Sequence, residues 1–146
     1  MADHFFSVSM SIRVTDGRVR DQLCAAFEGG SNYWYDKLDP HYGEGISRKD
    51  CERGGRLFPA DIAADDVLDS WPYVVPFIDG CWLTLEEKEE DNPKERRLDR
   101  AAIQRGLQIM SEKCPQHFAD MMSESGDATT GDVLLQCCVL GDIVYG

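Results

Sequence analysis

The chain has 146 residues, a net charge of -12 and 42% hydrophobic residues. That length fits one compact domain, residues 1–146, which buries roughly two-thirds of its unfolded surface. The negative charge argues against general affinity for a nucleic-acid backbone and is compatible with a basic partner, although an acid excess also serves solubility alone.

The N-terminal MADHFF lacks the basic region and long apolar run of a secretory signal, and no stretch approaches the ~20 apolar residues that span a bilayer. The six cysteines (Cys24, Cys51, Cys81, Cys114, Cys137 and Cys138) are therefore expected as thiols in a reducing cytoplasm.

Phe6, Val8, Met10, Ile12 and Val14 alternate with Ser7, Ser9, Ser11 and Arg13, the period of a half-buried strand. Asp16-Gly17 ends it, with Asp16 as a helix cap. Val19, Leu23, Ala26 and Phe27 recur at helical spacing, which predicts a helix over about residues 17–28, closed by Gly29-Gly30. Residues 31–72 read as irregular, with a short helix near Asp61 to Trp71. Tyr73–Ile78 and Cys81–Glu86 flank Asp79-Gly80, a two-residue hairpin signal, with Pro76 restricting its strand to an edge or a bulge. A third short strand is expected near Glu95–Leu98 after the charged EEKEEDNP connection.

Leu98, Ala102, Ile103, Leu107 and Met110 form one helical face, and Pro115 separates it from a short helix over His117–Glu124. The last helix, capped by Thr129 or Thr130, carries Val133, Leu134, Cys137, Cys138 and Leu140 around its circumference. A helix apolar on several sides is a central one. The predicted fold is α+β: a small antiparallel sheet, built from the N-terminal strand and the 73–86 hairpin, packed against C-terminal helices.

Motifs for chemistry are sparse. Cys114-Pro115-Gln116-His117 has zinc-ligand spacing but no second pair to complete four ligands. Six cysteines and three histidines supply catalytic pairs in principle, none singled out by its setting. No glycine-rich phosphate loop, nucleophile elbow or zinc-protease motif is present. No cofactor and no metal are expected, and an enzyme ranks behind two binding readings.

The binding candidates are the aromatic loop Tyr33, Trp34 and Tyr35, after Gly29-Gly30, and the acidic positions Asp65, Asp66, Glu86, Glu87, Glu89, Glu90 and Asp91. Loop aromatics can form an interface or a stacking platform. The other reading has Trp34 plugging the core with Asn32 tying the turn. The acids likewise read as solvated faces. Lys94, Arg96, Arg97, Arg100 and Arg105 make a locally positive stretch that either holds phosphate or pairs with the neighbouring acids.

AAFEGGSNYWYD, RLDRAAIQRGLQIMSEKCPQHFADMM and DATTGDVLLQCCVLGDIVYG together resemble a family of small uncharacterised proteins of bacteriophages and prophages. The resemblance spans the end of the first helix and nearly everything from Arg97 onward. It implies a phage-derived accessory protein in a bacterial cytoplasm, with no catalytic residues to transfer. Two functions are expected from these features. One is a non-enzymatic inhibitor of a host defence complex, of the anti-CRISPR type, whose acidic surface binds a nucleic-acid-binding protein. The other is a module that sequesters a nucleotide, with Tyr33, Trp34 or Trp82 stacking the base and Arg96, Arg97 or Arg100 holding phosphate. A homodimer is also left open.

Overall fold

The computed structural model describes residues 3–60, 62, 71–88 and 92–146. The architecture is α+β, with a small antiparallel sheet beside a group of helices. In chain order the elements are α1 (Asp16–Ala25), β1 (Tyr35–His41), α2 (Arg48–Cys51), α3 (Trp71–Val74), β2 (Trp82–Glu87), β3 (Glu95–Leu98), α4 (Arg100–Lys113), α5 (Pro115–Met122) and α6 (Ala128–Val139). Among the described residues the sheet has three strands in the order β1-β2-β3.

Helix α6 is the centre of the molecule. Every residue from Thr130 to Cys138 is buried. It is capped by Asp127, whose carboxylate accepts from the Thr130 amide at 3.0 Å, rather than by either threonine. Glycines permit close packing on two sides. A Cβ on Gly106 of α4 would lie 2.6 Å from Cys138 Cα, and a Cβ on Gly131 would lie 2.7 Å from the Gln22 carbonyl oxygen of α1. Helix α4 starts at its cap Asp99 and α5 starts on Pro115, as their sequence signals require.

Helix α1 is capped by Thr15, not Asp16, and continues through a π-helical turn over Ala26–Gly30. The positive φ of Gly29, 149°, turns the chain towards the aromatic loop.

Strand membership differs from the sequence reading at three places. Residues 3–15 form no helix and, among the described residues, join no sheet, and Phe6, Val8 and Met10 are 100%, 82% and 78% exposed. The base of this segment lies beside α4 and α5 instead, where Met10, Ile12 and Val14 border a groove with Leu107 and Phe118. The hairpin expected around Asp79-Gly80 is half right. Gly80 does turn the chain at φ 81°, and β2 follows. The segment before it is helical instead, α3 leading into a 3₁₀ turn over Val75–Phe77 that takes Pro76 in its first turn.

The third difference is β1 itself, which lies in the stretch read as irregular. Asp36, Lys37, Asp39 and Pro40 are poor strand formers. Pairing with β2 from Tyr35↔Glu87 to His41↔Trp82 overrides their propensity. The expected strand at Glu95–Leu98 is β3, paired with β2 from Glu86↔Glu95 to Leu83↔Leu98.

Candidate functional site

The register assigns side chains to the two faces of the sheet. Tyr35, Leu83, Leu85, Glu87 and Leu98 point to the core and are buried. The opposite face is turned to solvent. At one end His41 stacks on Trp82 with ring centroids 5.2 Å apart, and the Arg97 guanidinium lies 4.1 Å from the same indole. His41 Nε2 also meets Thr84 Oγ1 at 2.9 Å.

At the other end Asp36 pairs with Glu86, and Glu86 pairs with Glu95. Cross-strand partners project to the same face, so three carboxylates stand in a row across all three strands. Like charges directly opposite one another destabilise a sheet. The local offset is Lys37, whose ammonium reaches Glu86 at 3.3 Å. Lys37 sits at the bulge with φ 54°, a conformation costing a non-glycine residue about 1–2 kcal/mol.

The aromatic loop has a different role from the one its composition suggests. Trp34 and Tyr35 are 2% and 7% exposed and belong to the core. The loop is tied to α6 through Asp132, whose carboxylate accepts from Ser31 Oγ at 2.7 Å, Tyr33 OH at 2.6 Å, Trp34 Nε1 at 2.7 Å and Gln136 Nε2 at 3.1 Å. Four donors satisfy a buried carboxylate that would otherwise be very costly. Partial burial, then the hydrogen bond to Asp132 and that group's charge, push the Tyr33 hydroxyl up to about 12.

The same network holds the C-terminal tail. Gln136 Oε1 accepts from the amides of Val144 and Tyr145 at 2.8 and 2.9 Å, while its Nε2 donates to the Tyr145 carbonyl at 3.1 Å. The Tyr145 ring stacks on Trp34 at 5.3 Å, and its hydroxyl donates to Glu87 Oε1 at 2.6 Å. Glu87 Oε2 receives Arg96 Nε at 2.7 Å. Burial would raise the Glu87 pKa, but the bonds from Tyr145 and Arg96 and the nearby Arg96 and Lys94 charges outweigh it and hold the carboxyl below its ordinary value.

Of the aromatic-loop and acidic candidates, among the described residues only Glu86 and the half-exposed Tyr33 reach the surface. Trp34, Tyr35 and Glu87 are interior and are not a docking surface. Asp65, Asp66, Glu89, Glu90 and Asp91 lie outside the described residues. Asp36 and Glu95 were missed, because their place in the row depends on a strand register that composition conceals. Asp132 and Gln136 left a fainter mark: two polar residues four apart in an otherwise apolar helix.

Of the nucleotide-binding set, Trp82 and Arg97 come together, 4.1 Å apart, and the others are engaged elsewhere. Trp34 is buried, Trp82 is stacked by His41 and Arg97, and Arg96 is engaged by Glu87. A cleft of about 660 Å³ is lined in part by Arg56 and Arg100. Both are already paired, Arg56 with Asp50 at 3.0 and 3.2 Å, and Arg100 with Asp16 at 2.5 and 3.0 Å and with the Phe77 carbonyl at 3.0 Å. An anion entering there would compete with carboxylates already in place.

His117 of the zinc-spaced pair meets Thr130 Oγ1 at 3.0 Å and ties α5 to α6. Among the described residues no group of three or more His, Cys, Asp or Glu is placed to hold a metal ion. Among the described residues no cysteine forms a disulfide. Burial first, and then the neighbouring Cys81, push the Cys51 thiol up to about 12, and burial pushes Cys137 up to about 11. Reactive thiols have lowered values. Among the described residues no helix is long and apolar enough to cross a membrane.

No family model, no curated protein and no solved structure matches this chain.

Proposed function

We propose that the protein is a non-enzymatic inhibitor that docks the acidic end of its sheet on a basic, nucleic-acid-binding surface of a host defence complex. The observation that carries this reading is the row Asp36, Glu86 and Glu95, three carboxylates held side by side on the solvent face. Their mutual repulsion works against the sheet, and a cationic partner would relieve it on binding. The chain's net charge of -12 adds long-range steering towards such a partner. The setting that goes with it is a bacterial cytoplasm and a phage-borne origin, of the anti-CRISPR type, as the resemblance of the loop and C-terminal segments implies.

The test is capture of nucleic-acid-binding complexes from a bacterial lysate, on wild-type protein and on the variant Asp36→Asn, Glu86→Gln, Glu95→Gln. The reading expects a complex held at low salt, released by high salt or by added double-stranded DNA, and not held by the neutralised variant. Equal capture by both proteins would sink it.

A further inference from the structure

The N-terminal arm carries an inference of its own, independent of the acidic face. Residues 6–14 have the strict period two of a strand in their sequence, yet among the described residues they have no strand partner. Phe6, Val8, Met10 and Ile12, which alternate with serines in the sequence, are 100%, 82%, 78% and 53% exposed. A lone apolar strand in water is an edge waiting for a complement.

We propose that the arm pairs antiparallel with the arm of a second copy of this chain, about a two-fold axis at Val8, to make a homodimer. The sequence is self-complementary in that register. Phe6 falls opposite Met10 of the partner subunit, Val8 opposite Val8 of the partner subunit, and Ser7 opposite Ser9 of the partner subunit. Asp3 then faces Arg13 of the partner subunit, so each end of the ribbon closes with opposite charges. Shifting the register by two residues keeps the faces in phase but sets Arg13 against Phe5, which loses that pairing. An antiparallel two-fold contact is isologous and closes, so it stops at two copies.

A two-stranded ribbon by itself is marginal and needs a surface for its apolar face. The fold supplies one. A groove of about 460 Å³ lies between the base of the arm and helices α4 and α5, lined by Met10, Ile12, Val14, Leu107 and Phe118 among others. In the Val8-centred register Phe6 of the partner subunit lies beside Met10, at this groove.

The experiment is sedimentation equilibrium of the full chain over a wide concentration range, beside Val8→Asp, Asp3→Arg, Arg13→Asp and the double charge exchange. The expected result is a wild-type dimer and a Val8→Asp protein that associates at least about a hundredfold more weakly, because two carboxylates would meet at the axis. Its circular dichroism should be unchanged, since Val8 is 82% exposed in the single copy. Each single charge reversal weakens the dimer by about tenfold, and the double exchange restores it. A wild-type monomer at every concentration, or a dimer that Val8→Asp leaves intact, would overturn the proposal. Failure of the double exchange to restore association would overturn the register.

Discussion

Trp34 Nε1 donates a 2.7 Å hydrogen bond to Asp132 Oδ1, joining positions 98 residues apart. Through that carboxylate the aromatic loop, the central helix and the C-terminal tail become one unit, because Ser31, Tyr33 and Gln136 share the same acceptor.

Asp132→Ala therefore leaves several donors without an acceptor at once. A stranded buried group costs about 1–3 kcal/mol, so the loss should exceed about 3 kcal/mol. Asp132→Asn keeps the shape but turns one acceptor into a donor facing other donors, and should also destabilise, by less. Urea denaturation followed by tryptophan fluorescence measures both, and an Asp132→Ala protein as stable as wild type would show that the network contributes nothing.

The tyrosines make stability sensitive to alkali. Tyr33 and Tyr35 are pushed up from 10.0 to about 12, both by burial first, and Tyr73 is raised in the same direction. A folded value above the unfolded one favours the neutral form, so the contribution is complete below pH 10 and is lost as pH rises towards 12. Ultraviolet titration of the phenols should show this delayed ionisation. In Asp132→Asn, if folded, Tyr33 should ionise earlier, because its hydrogen bond to a charged acceptor is gone.

Gly106 sits where α4 meets Cys138 of α6, its place for a Cβ overlapping both the backbone and Sγ of that residue. Gly106→Ala would raise helix propensity by about 1 kcal/mol. Crowding against backbone should cost more, about 1–3 kcal/mol, leaving a net loss. A lowered melting temperature is expected, falling further in Gly106→Val; a rise would place the helices farther apart than described.

Tyr145 is the anchor of the tail. Tyr145→Ala removes its stack on Trp34 and the donor to Glu87, and should destabilise by about 2–4 kcal/mol. Tyr145→Phe keeps the stack and should lose about 1–2 kcal/mol. Glu87 contributes stability above the ordinary glutamate range that disappears as pH falls through its lowered value, and Tyr145→Phe should blunt that dependence. Truncation from Val133 onward should prevent folding altogether, because it deletes most of the buried residues of α6. Cooperative unfolding of that truncate would refute the central role of the helix.

Glu95→Lys separates stability from function. It converts a like-charge pair with Glu86 into an opposite one and should stabilise by about 0.5–1 kcal/mol. The same change should weaken capture of a basic partner. Thermal melts and the capture assay, run on one sample, read the two effects, and a destabilised variant would contradict the paired register.

The amphipathic helices were legible because their signals are local. Ala102, Ile103 and Met110 recur on one face of α4, although Leu98, read with them, belongs to β3; Asp99 and Pro115 punctuate α4 and α5, and the apolar residues Val133, Leu134, Cys137 and Cys138 around the last helix correctly placed α6 at the centre. The sheet was harder. Residues 6–14 have the alternation of a strand yet, among the described residues, pair with none, whereas β1 has a partner without the alternation.

The aromatic loop marks the same boundary. Its glycines and aromatics announce a turn and a large apolar contact, but whether Trp34 faces water or core depended on Asp132 and Tyr145 closing over it. The acidic row is further still from local reading. Asp36, Glu86 and Glu95 are three ordinary charges in the sequence, and they become neighbours only through a bulged register. Helix periodicity, caps and net charge are properties of adjacent residues and so were set by the sequence alone. Strand partners, the burial of the loop and the acidic face required distant segments to meet, and only the tertiary structure decided them.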